Sequence, residues 1–201
     1  FLVVVQGILG GLTVTELLRF DIVTAHLGTG LLFFSTLVAI GTALTAHQGT
    51  GNVGNLKWAG LTAVILVYLQ SILGGLVSSQ WALHQCFGTS QLCVVMNSHI
   101  AGVVPATIAT LTLIFLTWRT PALPPSLRRW ATLAGVCLLL QITLGVATFR
   151  LRLQVEPLAV AHQAIGASLL GTLIVFTVLA FRDVPVLKSQ VKETFIDFSA
   201  S

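Results

Sequence analysis

Gln70-Ser71-Ile72-Leu73-Gly74-Gly75 lies inside a long apolar stretch. The chain spells nearly the same phrase twice more, as Gln6-Gly7-Ile8-Leu9-Gly10-Gly11 and as Gln141-Ile142-Thr143-Leu144-Gly145. Each copy is followed by a short, more polar segment and then by a histidine that opens the next apolar stretch: His26, His99 and His162. Internal repeats are read first because they show which supersecondary piece a chain reuses. Here the piece is a pair of apolar segments that delivers a histidine to the same place each time, which points to a repeated chemical task.

Composition names the medium. The chain is 55% hydrophobic and 8% charged, with a mean hydropathy of +0.96, whereas a soluble domain carries about 25% charged residues. Crossing a bilayer takes roughly 20 mostly apolar residues. Six apolar segments are expected, at 1–14, 25–46, 57–79, 98–118, 130–149 and 158–181. In hydrocarbon every backbone N–H and C=O must be satisfied within its own segment, so each is read as a helix. The expected fold is all-α: a polytopic transmembrane helical bundle of pseudo-repeated helix pairs. Pro121, Pro124 and Pro125 mark a loop, since proline does not continue a helix. Gly49, Gly51 and Gly54 do similar work in the 47–56 connection. The tail 183–201 is polar with some apolar residues (Val191, Phe195, Ile196, Phe198) and is open to two readings, an interfacial helix or a disordered end.

The chain opens at Phe1 inside an apolar segment, with no charged stretch before it, so this segment is not expected to be a signal peptide. The first segment is short for a span. The expectation is that the N-terminus is truncated or leans on something outside this chain.

Charge sets the orientation. Lys57, Arg119, Arg128, Arg129, Arg182, Lys188 and Lys192 belong to one set of loops with their flanks and the tail, leaving Arg19, Arg150 and Arg152 on the other side. The positive-inside preference assigns the first set to the cytoplasm or its organellar equivalent, and the three histidines to the outer side. Topology thus accounts for the net charge of +4 and pI near 9.4, and nucleic acid is not an expected partner. There is no phosphate loop, nucleophile elbow or dinucleotide fingerprint.

Histidine at a helix end is often an interfacial side chain with its polar edge in water, but three at one point of a repeat favour ligation. Imidazole is the commonest protein ligand for haem iron and also suits zinc and copper. Helices facing each other across a bundle hold such groups, and His99 with His162 make one candidate pair, while His26 has no equivalent partner. Small residues surround each histidine (Ala25, Gly28 and Gly30; Ser98, Ala101 and Gly102; Ala161, Ala164, Gly166 and Ala167). They permit close helix packing in membranes and equally leave flat space beside a ligand. Cys86 and Cys93 share the 80–97 loop on the outer side, where a disulfide is plausible beside the alternative of two free thiols. His84 nearby does not complete a zinc set. Cys137 is expected to pack as a small hydrophobe. Arg150 and Arg152 are basic on the side where topology disfavours them. Headgroup contact and pairing with a ligand's carboxylates are both open, and Arg19 has the same two readings beside His26. Glu16, Asp21 and Glu156 form no acid–base pair, and His47 is expected to be solvated.

Together these motifs resemble the haem A synthase family. The Gln6–Val14 stretch with Ala25-His26-Leu27 is similar to the family's third and fourth membrane helices. Tyr68–Gly75, the Cys86/Cys93 loop and His99 are similar to its fifth and sixth; Leu140–Thr148 and Ala161-His162-Gln163 are similar to its seventh and eighth. The resemblance covers nearly residues 1–182. It implies two pseudo-symmetric four-helix halves and oxidation of a methyl group of haem O to the formyl group of haem A, for terminal oxidases. It implies that His99 and His162 are axial ligands of a haem b, with Arg150 and Arg152 beside it. His26 is implied as a ligand of the substrate haem, and Cys86 and Cys93 as the cysteine pair of the outer loop. On this reading 1–56 is the remnant of the N-terminal half, 57–182 the C-terminal four-helix bundle and 183–201 a tail. The family's first two helices, which carry the partner of His26, a catalytic glutamate and often another cysteine pair, have no counterpart here, so the catalytic residue is unknown. Ile100 stands where the family often has a basic residue. Expected partners are membrane lipid, haem O synthase and oxidase assembly factors, with an unknown electron donor. The expected location is the bacterial plasma membrane or the mitochondrial inner membrane. Two other classes remain: a non-catalytic di-histidine b-type cytochrome passing electrons from quinol, and a transporter, since repeats and glycine-interrupted helices occur there too.

Thiol labelling tests the outer loop. Cys86 and Cys93 are expected to react only after reduction, and full labelling beforehand would remove the disulfide.

Overall fold

The structure is a computed structural model that describes residues 1–78, 91–151 and 154–183, and of 91–93 only the helical backbone. Cys86, Cys93, His84, Arg152 and the tail after Asp183 lie outside the described residues or side chains. Among the described residues the helices are α1 (Leu2–Thr15), α2 (Phe20–Leu44), α3 (Leu56–Ser78), α4 (Gln91–Arg119), α5 (Pro125–Arg150) and α6 (Glu156–Phe181). Helices α2 to α6 are each long and apolar enough to cross a membrane; α1, at 14 residues, is shorter. The protein is an all-helical, multi-pass integral membrane bundle.

Two boundaries move for physical reasons. Pro125, expected in a loop, is the first residue of α5, with Pro124 as its N-cap. Proline is suited there because the first N–H of a helix has no intrahelical acceptor. Helix α2 begins at Phe20 and takes in residues expected in the preceding connection. That connection is therefore tight: Leu17 and Leu18 both adopt positive φ, 51° and 61°. A left-handed conformation costs an L-residue about 1–2 kcal/mol. The turn lays α1 antiparallel on α2, and Arg19 closes it by pairing with Asp21 at 2.7 Å and Glu16 at 3.6 Å.

Helices α3, α4, α5 and α6 pack in a ring in chain order, with α6 closing back onto α3. Helices α4 and α6 therefore stand diagonally across the bundle, as do α3 and α5. Helix α2 packs on α3 and α6, and α1 packs on α2. Helix α6 is the most enclosed span, with 61% of its apolar stretch buried against 17% for α2. It buries Leu169, Leu170, Leu173, Ile174 and Phe176, an all-round apolar surface suited to a central helix. Close approach depends on small residues. A Cβ on Gly60 of α3 would sit 2.6 Å from Thr177 Oγ1 of α6, and one on Gly75 would sit 2.6 Å from Leu27 Cδ2 of α2. Buried hydroxyls bond back into their own helices, Thr110 to the Ala106 carbonyl and Thr117 to that of Leu113, so the core holds them without a polar partner on another helix.

Chain alternation sets Lys57, Arg119, Arg128, Arg129 and Arg182 at one end of the bundle and the three histidines toward the other. At the basic end, Arg182 donates to the carbonyls of Thr42 and Thr45 at 2.7 and 2.8 Å, a cation on the carbonyl end of α2. Asp183 accepts from the backbone N–H of Thr50 and Val53. These two neighbours draw the α2–α3 connection onto the foot of α6. His47 in that connection is accordingly half-buried, with Nε2 enclosed and unpartnered, and not solvated as expected. Arg182→Ala is expected to destabilise this end by about 1–3 kcal/mol, the range for hydrogen bonds to a charged group. Limited proteolysis in detergent is the check, with new cleavage between residues 45 and 55.

Candidate functional site

Gln6, Gln70 and Gln141 are each followed four residues later by a glycine, and residues four apart share a helix face. The structure sets each of these faces against a histidine on the following repeat helix: α1 against α2, α3 against α4, and α5 against α6. A Cβ on Gly10 would lie 3.2 Å from His26 Cε1, one on Gly74 3.0 Å from His99 Cε1, and one on Gly145 2.9 Å from His162 Cε1. Each imidazole therefore occupies the volume that a side chain would take. The packing is reciprocal, because each glutamine lies over a glycine of the histidine's helix. Gln6 lies over Gly30, Gln70 over Gly102 and Gln141 over Gly166.

Hydrogen bonds complete these seats. Gln6 Nε2 donates to the His26 carbonyl at 3.0 Å, and Gln70 Nε2 to the His99 carbonyl at 2.7 Å. Gln70 Nε2 also meets His99 Nδ1 at 2.9 Å, and Gln141 Nε2 meets His162 Nε2 at 3.3 Å. Two enclosed ring nitrogens, His26 Nδ1 and His162 Nδ1, have no partner, and neither do the amide oxygens of Gln70 and Gln141. Gln6 differs, since its oxygen accepts from the Thr29 hydroxyl at 2.6 Å.

The seats lie at similar depth. His26 and His162 come six residues after the starts of α2 and α6, and His99 eight after the start of α4, roughly 9–12 Å along the axis. His99 and His162 are on the diagonal pair α4 and α6, within electrostatic range of each other. Around them the bundle is less filled. Every described residue from 94 to 105 and from 156 to 165 is at least partly exposed, whereas Leu113, Leu127, Leu170, Leu173 and Phe176 nearer the basic end are fully buried. Pro105 also removes an intrahelical hydrogen bond, six residues beyond His99.

Arg150 closes α5 at the histidine end, exposed and without an ion-pair partner among the described residues. Arg19, open to headgroup contact or to pairing with a ligand's carboxylates beside His26, is paired with Asp21. That hydrogen bond, first, and the carboxylate charge hold its pKa above the usual guanidinium value. His26 lies on α2, outside the four-helix ring. Cys137 is buried and free, as expected for packing. Among the described residues no group of three or more His, Cys, Asp or Glu side chains forms a metal cluster. The glutamines and their glycines are the residues that the sequence reading passed over. Their four-residue spacing is visible in the sequence, but that it forms the seat of each histidine is not.

Such a bundle, with imidazoles seated between antiparallel spans, defines a polytopic helical membrane protein. Residues 1–174 match the family described as cytochrome oxidase assembly protein, and the chain belongs to that family, the haem A synthase family. Its role therefore lies in cytochrome oxidase assembly. Neither the curated proteins nor the solved structures include a match.

The seats make a packing prediction. Gly145→Val is expected to cost about 1–3 kcal/mol as an overpacking change, read by chemical unfolding in detergent. Gly7→Ala and Gly11→Ala, where a Cβ meets nothing within 4 Å, are expected to be neutral or to stabilise by up to about 1 kcal/mol.

Proposed function

We propose that this chain is a haem A synthase, an oxidoreductase that converts the methyl group of haem O to the formyl group of haem A. Residues 57–182 form its haem b bundle, 1–56 belong to its substrate half, and 183–201 are an appended tail. His99 and His162 would hold the haem b, and His26 would hold the substrate haem. The observation that carries this reading is the pair of imidazoles on diagonal helices at similar depth, in the less filled half of the bundle. Each has one ring nitrogen on a glutamine, and the second nitrogen of His162, Nδ1, has no partner among the described residues. Two ligands, not three, are what a bis-histidine haem asks of the protein. When bound, haem b supplies one-electron transfer, and the protein's part is to position it and tune its electronics.

The chain's own residues then have separate tasks. Gly74 and Gly145 leave room for the imidazoles, and Gln70 and Gln141 hold them. Arg150, with Arg152, pairs with propionate carboxylates at the histidine end. Leu113, Leu170, Leu173 and Phe176 close the bundle beyond the site and exclude water. The positive-inside preference places the histidine end at the outer face of the membrane.

The same His99–His162 pair would serve a non-catalytic b-type cytochrome. Conversion of haem O to haem A by membranes carrying the natural protein decides between them, and a low-spin haem without conversion would favour the cytochrome. His99→Ala and His162→Ala are each expected to abolish the low-spin b-type signal. Its retention in both would refute the ligand assignment.

A further inference from the structure

The three seats share a plan but not a hydrogen-bond pattern. In the second and third, the glutamine amide reaches the imidazole ring itself, at 2.9 Å for Gln70 with His99 and 3.3 Å for Gln141 with His162. In the first it does not. Thr29 occupies the Gln6 oxygen, the Gln6 nitrogen makes the bond to the histidine's backbone carbonyl that Gln70 also makes, and the His26 Nδ1 atom is enclosed without a partner. The residues three positions after the other histidines are Gly102 and Ile165, and neither can supply a hydroxyl.

We propose that Gln70 and Gln141 are positioning residues that tether the rings of His99 and His162 and tune the iron they hold, while Thr29 diverts Gln6 and leaves His26 an untethered, exchangeable ligand. The inference rests on the ligand reading above. Iron bound at one nitrogen of a neutral imidazole leaves the proton on the other. The nitrogen facing the glutamine must then donate. On ligation the amide must therefore turn from the arrangement seen here, in which Nε2 faces the ring, to present its oxygen there, with Gln70 Nε2 kept on the His99 carbonyl. The amide oxygen is the atom buried without a partner in both Gln70 and Gln141. An acceptor on the far N–H of a ligating histidine fixes its orientation and raises its basicity. Greater basicity favours ferric iron and lowers the midpoint potential. A permanently held haem b suits two tethered imidazoles; a haem that enters as substrate and leaves as product suits a ring with no such hold.

The test uses the full chain, purified in detergent and loaded with haem b, read by its ferric low-spin spectrum, its midpoint potential and its haem affinity. Gln70→Leu and Gln141→Leu are each expected to raise the midpoint and to weaken haem binding about 10–100-fold, the range for loss of such a partner. Gln70→Glu, close in shape and a stronger acceptor, is expected to keep the haem and lower the midpoint. Gln6→Leu is expected to leave the midpoint and the low-spin spectrum as they are. An unchanged midpoint in both leucine variants would overturn the proposal, as would an equal shift in Gln6→Leu. If the leucine variants do not fold, Gln70→Glu decides, and a midpoint that fails to fall overturns it. A wild-type chain that takes up no haem overturns the ligand reading as well, whereas low-spin haem indifferent to the glutamines overturns this inference alone.

Discussion

The contact between an imidazole and a glycine, made three times, is what the rest of the fold depends on. A histidine ring can lie between two antiparallel membrane helices only if the facing helix has no side chain at that level. Gly10, Gly74 and Gly145 meet that condition, with would-be Cβ atoms 2.9–3.2 Å from the rings. The glutamine one turn earlier then reaches the histidine's own helix, through its backbone in the first two seats and through the ring in the second and third. In hydrocarbon, helices gain no hydrophobic drive by associating, so close packing and polar contacts hold them together. Each seat supplies both and sets the axial register of its helix pair.

Register propagates to the ends. With the pairs aligned, the basic residues gather at the opposite end, and Arg182 with Asp183 joins the α2–α3 connection to the foot of α6. The half near that end is filled by leucine, phenylalanine and back-bonded threonine, whereas α4 and α6 around the histidines stay at least partly exposed. One bundle thus combines a rigid base with a less filled upper half. That is the division of labour expected where a large planar group is held near one face of a membrane.

Much of this was legible along the chain. Hydropathy located six helices within a few residues, except where helices began earlier than the apolar run, as α2 does at Phe20 and α4 at Gln91. Proline was misread once, at Pro125, because the same residue that breaks a helix interior also starts one. The candidate histidines were found by repetition. What was missed concerned partners: Gln6, Gln70 and Gln141 as the hydrogen-bonding side of each seat, Arg19 as the partner of Asp21, and His47 as enclosed. A side chain's partner depends on which face its helix turns toward which neighbour, and spacing along one segment does not report that.

The sequence by itself determined the membrane setting, the all-helical class and the antiparallel pairing. These follow from segment length, composition and order, all one-dimensional quantities. The tertiary structure decided that α4 and α6 stand on a diagonal and that α6 is the enclosed span. It also decided that Gln6 is turned to Thr29 while Gln70 and Gln141 are turned to the rings. The physical reason is that rotation about a helix axis costs nothing in hydropathy. It is set only when side chains of different helices compete for the same space and the same few hydrogen bonds.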